Sequence, residues 1–216
     1  MMYFWDTIQA DWELILQKTG EHIYLSFVSV LIACLIAIPL GIFLARQKKV
    51  ANSFITVISV LQTIPSLALF GFLIPLVGIG TTPAIIALTL YALLPIVQNT
   101  YVGILNVNSA LIEAGIGMGM TQGQVLRMVQ LPIARGVILA GIRLVVVQTI
   151  SLATIATYIA AGGLGDIITR GISMINTTMI MEGALPVCLL VILINLLLFI
   201  INHFLTPKAL RDQNKI

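Results

Sequence analysis

The stretch that decides the fold spans residues 50–112 and reads VANSFITVISVLQTIPSLALFGFLIPLVGIGTTPAIIALTLYALLPIVQNTYVGILNVNSALI. It contains no Asp, Glu, Lys or Arg. A helix that crosses a membrane needs about 20 mainly apolar residues, so an uncharged run of this length must fold back as several helices. The whole chain agrees, because 59% of its 216 residues are hydrophobic and 9% are charged, whereas soluble domains carry about 25% charged residues. The sequence predicts one domain surrounded by lipid.

Apolar segments of spanning length occur at residues 22–45, 53–77, 84–105, 137–159 and 183–205. They are apolar on every face, whereas the strands of a membrane barrel alternate apolar and polar residues. Helices satisfy all their backbone groups internally, as lipid requires. We therefore expect an all-α fold, a polytopic membrane helix bundle of about five transmembrane helices that occupies residues 22–205.

The two ends of the chain differ from this bundle. Apolar residues recur at helical spacing among the acidic residues of segment 1–21: Trp5, Ile8, Trp12, Ile15 and Leu16. Tryptophan favours the headgroup level of a membrane, so this segment is expected to form an external interfacial helix that does not cross. Residues 206–216 form a basic tail.

The basic residues predict the orientation of the bundle. Five spans place nine of them on one side: Arg46, Lys48, Lys49, Arg127, Arg135, Arg143, Lys208, Arg211 and Lys215. Only Lys18 and Arg170 lie opposite. By the positive-inside rule the N-terminus is outside and the C-terminus is in the cytoplasm. The net charge of +3 thus reflects membrane topology, and no dense basic patch indicates a nucleic-acid partner.

Small residues recur every fourth position in the first span, at Ala33, Ala37, Gly41 and Ala45. Such a stripe lets a second helix approach closely. We expect it to be a packing face, which membrane bundles of every function can contain.

The loop at residues 113–135 carries the most informative motif. Glu113, Ala114 and Gly115 are followed by Gly119 and, after nine further residues, by Val129, Gln130, Leu131 and Pro132. This spacing resembles the EAA loop of ATP-binding-cassette importer permeases, in which Glu-Ala-Ala, three residues, Gly and nine residues precede Ile-x-Leu-Pro. Gly115 and Val129 depart from that pattern but remain small or β-branched. The resemblance implies a type I importer permease with a cytoplasmic loop that couples to an ATPase.

A loop that transmits motion needs a short element that fits a partner's groove and hinges at its ends. Gly115, Gly117 and Gly119 offer a permissive backbone. Apolar anchoring is assigned to Val125, Leu126 and Met128, and Pro132 is expected to end the element before the fourth span.

No G-x-x-x-x-G-K-[ST] loop occurs in the sequence, so we predict that this chain binds neither ATP nor magnesium. Glycines 117, 119 and 123 do not follow a strand and lack the G-x-G-x-x-G spacing of a dinucleotide site. The chain is therefore expected to be non-catalytic, with ATP and magnesium held by a partner ATPase.

Three further runs narrow the resemblance: residues 62–69 (QTIPSLAL), 93–100 (LLPIVQNT) and 158–165 (YIAAGGLG). They are similar to permeases of osmoprotectant uptake systems, which import glycine betaine, carnitine, choline and related quaternary amines. The resemblance implies a bacterial cytoplasmic membrane protein. Its implied partners are an ATPase, an extracytoplasmic solute-binding protein, membrane lipid, and a second permease that is either an identical copy or a related chain.

Two groups of residues are candidates for the translocation path. The first surrounds a proline inside the second span and comprises Gln62, Thr63, Pro65 and Ser66, which could instead serve as hydrogen-bonding contacts between helices. The second ends the fourth span and comprises Tyr158, Gly162, Gly163 and Gly165. After it, Asp166 and Arg170 are expected to form a solvated pair one helical turn apart.

Other readings stay open at this stage. A permease of the same architecture could carry another small solute, such as methionine. An ion-coupled carrier should place an ionisable residue near the middle of a span, and none is predicted there. An enzyme should show paired carboxylates or a nucleophile with its base, and a metal site should give His22 or His203 companion ligands; the sequence shows neither pattern.

Overall fold

The structure, a computed structural model, describes residues 9–205, and every regular element in that range is helical. Four long helices form the frame: α1 (Trp12–Arg46), α4 (Thr81–Leu105), α7 (Leu131–Ala153) and α9 (Thr177–Leu205). Shorter elements connect them: α2 (Lys48–Gln62), α3 (Ser66–Val77), α5 (Ser109–Gly117), α6 (Gln122–Val125), a π-helical turn (Leu126–Gln130), a 3-10 turn (Ile155–Ile159) and α8 (Gly165–Ser173). The predicted all-α fold is confirmed.

Four helices are long and apolar enough to cross a membrane, and α2 with α3 forms a fifth candidate span that is bent. This agrees with the predicted count of about five. The bend itself was not predicted. The two halves meet at 92°, because Pro65 has no N–H to continue the helix and adopts an extended backbone, with φ −57° and ψ 136°. Residues 53–77, predicted as the second span, are therefore a broken segment in two helical halves.

Residues 12–21 belong to the same helix as the first apolar segment. Helix α1 runs from Trp12 to Arg46 without a break, so these residues do not form a helix of their own. The reason is tertiary packing, since Ile15 is buried against Leu164 and Ile167 of the segment around α8. Trp5, Ile8 and the predicted basic tail at 206–216 lie outside the described residues.

The core sits where α1, α4 and α7 meet. Ala33 and Ala37 are fully buried against α4, and Gly41 and Ala45 are buried on the same face. A Cβ atom added to Gly41 would lie 2.6 Å from Cβ of Thr100, so the two backbones approach as closely as glycine allows. The predicted packing face is confirmed.

We expect Gly41→Ala to lower the free energy of unfolding by about 1–3 kcal/mol, because the new methyl group would collide with a side chain that cannot rotate away. The measurement is thermal unfolding of the purified protein in mild detergent. Gly136→Ala is the matched control, since nothing lies within 4 Å of that Cβ position. Equal stability of the two variants would contradict this description of the α1–α4 contact.

Candidate coupling loop and translocation path

The predicted coupling loop is a compact helical hairpin. Helix α5 starts at Asn108, whose side chain accepts a hydrogen bond from the Ala110 N–H at 2.9 Å, and it carries Glu113, Ala114 and Gly115. The helix ends with a paired closure in which the Gly119 N–H donates to Ile116 O at 2.9 Å and the Met120 N–H donates to Gly115 O at 3.1 Å.

Gly119 has a φ of +85°, so it occupies the left-handed position that this closure requires and that favours glycine. The second arm begins two residues later with a reciprocal cap. The Thr121 hydroxyl accepts from the Gln124 N–H, and the Gln124 side chain accepts from the Thr121 N–H at 2.7 Å. Both ends of the turn are thus fixed by local hydrogen bonds.

The second arm does not stop at Pro132, contrary to the sequence-based prediction. α6, the π-helical turn and α7 form one continuous helix, Gln122–Ala153. Pro132 lies in the first turn of α7. The widened π-helical turn before it carries Val129 and absorbs the irregularity that a proline ring and its missing N–H impose. Leu131 joins the two parts, so the hairpin and the span are directly connected.

The apolar residues of the hairpin divide into two sets. Val125 and Leu126 are buried within this chain, and Gly115 packs against Met120 and Val125. By contrast, the exposed fraction is 77% for Met118 and 64% for Met128. The predicted anchoring role of Val125 and Leu126 toward a partner is therefore wrong, because their side chains already pack inside this chain.

Glu113 is exposed, and none of the ion pairs in residues 9–205 involves it. Arg127 lies in the second arm and lines a cavity of about 470 Å³ together with Arg46 and Gln124. The exposed surface of the hairpin therefore carries one acidic side chain and two methionines, next to a cavity lined by Arg46 and Arg127.

At the bend between α2 and α3, polar groups satisfy one another across helices. The Gln62 side chain donates to Tyr91 O of α4 at 2.7 Å, and the Tyr91 hydroxyl donates back to Ile64 O. Thr63 donates to Val60 O in its own helix at 2.7 Å. Gln62 thus serves as a contact between helices, while Thr63 and Pro65 are exposed and Ser66 is half-buried.

The second group of path candidates forms a tight turn after the 3-10 segment. Ala160, Gly162 and Gly163 all have positive φ angles, of 58°, 84° and 83°. Gly165 allows the backbone of this turn to pass close to the backbone of Thr154, because a Cβ atom at Gly165 would lie 2.1 Å from Thr154 O. Tyr158 points outward, with 60% of its surface exposed.

An ion-pair network holds this turn against α1. Lys18 Nζ lies 2.8 Å from a Glu21 oxygen and 2.7 Å from an Asp166 oxygen. Glu21 accepts the Gly163 N–H at 2.8 Å, and the Thr157 hydroxyl donates to Asp166. Asp166 does not form the expected ion pair with Arg170. Its ion-pair partner is Lys18, which lies 148 positions earlier in the chain.

The electrostatics of Asp166 follow from that network. Burial alone would raise the pKa of its carboxyl group. The hydrogen bonds from Lys18 and Thr157, together with the positive charges of Lys18 and Arg170, outweigh burial and hold this pKa below its ordinary value. Asp166 is thus ionised at neutral pH, which keeps the contact between α1 and α8 closed.

The structure places the two groups of path candidates on adjoining elements. Helix α3, which follows Pro65 and Ser66, packs on the 3-10 turn, and the Gly80 N–H donates to Ile159 O at 2.7 Å. α3 also carries exposed apolar side chains, including Leu67 and Phe72, and Tyr158 of the 3-10 turn is exposed as well.

Several residues of these sites were missed or misplaced by the sequence analysis. His22, for which no partner was predicted, is fully buried and contacts Ile150 O at 2.9 Å through Nε2. Arg143 lies well inside α7, where it donates to Asn195 at 2.6 Å and lies 5.7 Å from the Phe199 ring. The expectation that no ionisable residue lies near the middle of a span is therefore wrong, because α7 begins earlier than predicted. For both His22 and Arg143, the sequence signal for a buried polar contact was a single polar residue inside an apolar segment.

Within residues 9–205, no three His, Cys, Asp or Glu side chains lie close enough to hold a metal ion.

The comparisons with known proteins agree with this architecture. Residues 37–211 match the family described as binding-protein-dependent transport system inner membrane component. The chain is 48% identical over 207 residues to the carnitine transport permease protein OpuCB of Listeria monocytogenes, covering 96% of this chain and 95% of that one. It is 43% identical over 209 residues to the glycine betaine/carnitine/choline transport system permease protein OpuCB of Bacillus subtilis, covering 97% and 96%.

Among solved structures, an inward-facing MetNI methionine ABC transporter matches with a TM-score of 0.82 and 26% identity, covering 90% of this chain and 97% of that one. Systems of this kind import through a membrane subunit that works with an ATPase and a solute-binding protein. The chain belongs to the family of inner membrane components of binding-protein-dependent transport systems, and it is a non-catalytic, multi-pass subunit of the cytoplasmic membrane.

Proposed function

We propose that this chain is the permease subunit of an ATP-binding-cassette importer for glycine betaine, carnitine or choline. The observation that carries this proposal is similarity along nearly the whole chain to permeases whose names include these solutes, at 48% and 43% identity. ATP and magnesium are held by the partner ATPase. Family membership counts against the ion-coupled carrier and the membrane enzyme.

Methionine remains the second candidate solute, and the likeness to a methionine transporter supports it. That likeness has 26% identity, however, and the two osmoprotectant relatives are considerably more similar. A quaternary amine is best held by several aromatic faces. The described residues at the outer turn offer Tyr24 and Tyr158, both exposed, without a closed aromatic cage. Selectivity for the transported solute is therefore assigned to the separate solute-binding protein.

The substrate proposal predicts uptake of radiolabelled glycine betaine, carnitine or choline by cells that express the complete transporter under hyperosmotic conditions. Excess unlabelled quaternary amine should suppress the signal at least tenfold, while excess methionine should leave it unchanged. Cells that lack this chain but retain the partner subunits provide the control. Competition by methionine alone would support the second candidate and contradict the first.

We propose further that the α5–α6 hairpin is the coupling element. Its turn is fixed by Gly119 and the Thr121 cap, and its second arm is continuous with the spanning helix α7. Glu113, Met118 and Met128 are exposed and suit an ATPase surface with an apolar hollow and a basic rim. The orientation that this requires puts the hairpin in the cytoplasm, as the distribution of Lys and Arg predicts.

We expect Gly119→Val to abolish transport, because a β-branched residue is strained at a φ of +85°. Glu113→Gln should reduce uptake about fivefold through loss of a charged contact with the ATPase, with no change in thermal stability. Gly117→Ala is the matched control, since nothing lies within 4 Å of that Cβ position and its φ is ordinary. Uptake and membrane abundance are measured together. Normal uptake by Gly119→Val at normal abundance would contradict the coupling role.

The translocation path is proposed to lie along the surface that carries Thr63, Ser66 and Tyr158, opposite a second permease chain. This surface combines the exposed end of a broken helix with exposed apolar side chains on α3. Polar groups at a broken membrane helix are tolerated where they face protein or water. Gly162, Gly163 and Gly165 would shape its outer end, where the ion-pair network fixes the turn.

Single cysteines in a variant lacking Cys34 and Cys188 test this geometry. An impermeant thiol reagent should label Gln9→Cys in intact cells and Gln124→Cys only after permeabilisation. In the permeabilised cells a small hydrophilic reagent should label Thr63→Cys about tenfold faster than Leu193→Cys, because thiols react as thiolates, which lipid disfavours. The reverse labelling of Gln9 and Gln124 would contradict the orientation, and equal rates at Thr63 and Leu193 would contradict the path.

A further inference from the structure

A lateral groove runs between the start of α1 and the start of α9, and none of the residues that line it belongs to the proposed path. Its volume is about 560 Å³, and its walls are almost wholly apolar. Trp12 and Leu16 line it from α1, while Leu185, Leu189 and Leu193 line it from α9. Roughly half of each of these side chains is exposed, so in residues 9–205 no element covers the groove.

One carboxylic acid lines this apolar groove. Glu182 is 2% exposed, and its Oε1 atom has no hydrogen-bond partner among the described residues. The carboxylate of Asp11 acts on it as a like charge and repels it. Lys18 cannot neutralise it, because its ammonium group already bridges Glu21 and Asp166.

An unpaired charge is unfavourable in this buried, apolar setting, so Glu182 holds a negative charge only where a positively charged donor from outside the described residues reaches it. Without such a donor the carboxyl group takes up a proton. The requirement selects the chemistry of that donor. A primary ammonium group can donate a hydrogen bond to Oε1 as well as neutralise the charge. A quaternary ammonium group has no N–H to donate, so the proposed cargo of the transporter does not fit this position.

The shape of the groove indicates the apolar part of the ligand. Leu185, Leu189 and Leu193 recur every fourth residue and form one stripe along α9, which extends about 12 Å at 1.5 Å per residue. Such a stripe accommodates part of an acyl chain. Trp12 lies at the same end of the groove as Asp11, and tryptophan favours the level of lipid headgroups.

From this combination we propose that the α1–α9 groove is a binding site for one aminophospholipid. Its primary ammonium group binds Glu182, and one acyl chain lies along the leucine stripe of α9. The site is separate from the coupling hairpin and from the proposed path, and it does not depend on which solute is transported.

The experiment uses the full chain, purified with its partner subunits and reconstituted in nanodiscs with equal amounts of phosphatidylethanolamine and phosphatidylglycerol of identical acyl chains. Native mass spectrometry then measures which lipid the released complex retains. We expect wild type to retain phosphatidylethanolamine preferentially and Glu182→Gln to reduce that preference about tenfold. Glu13→Gln is the matched control, because it removes an exposed acid from α1 outside the groove.

A second pair of variants leaves the carboxylate in place and alters only the acyl-chain wall. Leu189→Trp should fill the groove and lower retention of either lipid about tenfold, whereas Leu196→Trp, at an exposed position of α9 outside the groove, should not. Equal retention of the two lipids by wild type, or unchanged preference in Glu182→Gln, would overturn the proposal. So would a cross-link from Leu189→Cys to a second copy of this chain, since that copy would then occupy the groove.

Discussion

The structure depends on the close approach of α1 to α4. In lipid, apolar side chains gain nothing by leaving the solvent, so helices associate through packing and hydrogen bonds between them. Ala33, Ala37 and Gly41 allow the two backbones to meet without intervening side chains, and Gly41 meets Thr100. α7 then packs against the same pair, where Gly141 meets Asn99. Small residues therefore set how α1, α4 and α7 pack together.

Around this tight centre, backbone groups released by broken helices are satisfied by side chains from neighbouring elements. The Tyr91 hydroxyl donates to Ile64 O beside the break before Pro65, and Glu21 accepts from the Gly163 N–H in the turn after the 3-10 segment. At the hairpin the partners are local, because Thr121 and Gln124 cap each other. At these three places a side chain replaces a missing helical hydrogen bond, and the three places coincide with the proposed path and coupling element.

Local signals explain what could be predicted from the sequence. Three of these signals depend on residues that are close in the chain: the apolar runs, the small-residue stripe and the spacing from Glu113 to Pro132. The left-handed backbone at Gly119 is likewise a local feature. The contact between Lys18 and Asp166 joins residues 148 positions apart, so no local pattern indicates it. The same holds for the burial of Glu182. Pro132 was misjudged because a proline usually ends a helix, and the π-helical turn that accommodates it has no recognisable sequence signal.

The continuous helix Gln122–Ala153 has a mechanical consequence. It contains 32 residues, which corresponds to about 48 Å. Beyond its middle, Gly141 is pressed against Asn99, where an added Cβ would lie 2.6 Å away. Near the end away from the hairpin, Ile150 O is bound to His22. Gly141 lies nearer to that end than to the hairpin. If the helix tilts about the Gly141 contact, the hairpin therefore moves farther than the end that His22 holds, and a long displacement at the hairpin becomes a short one beside His22.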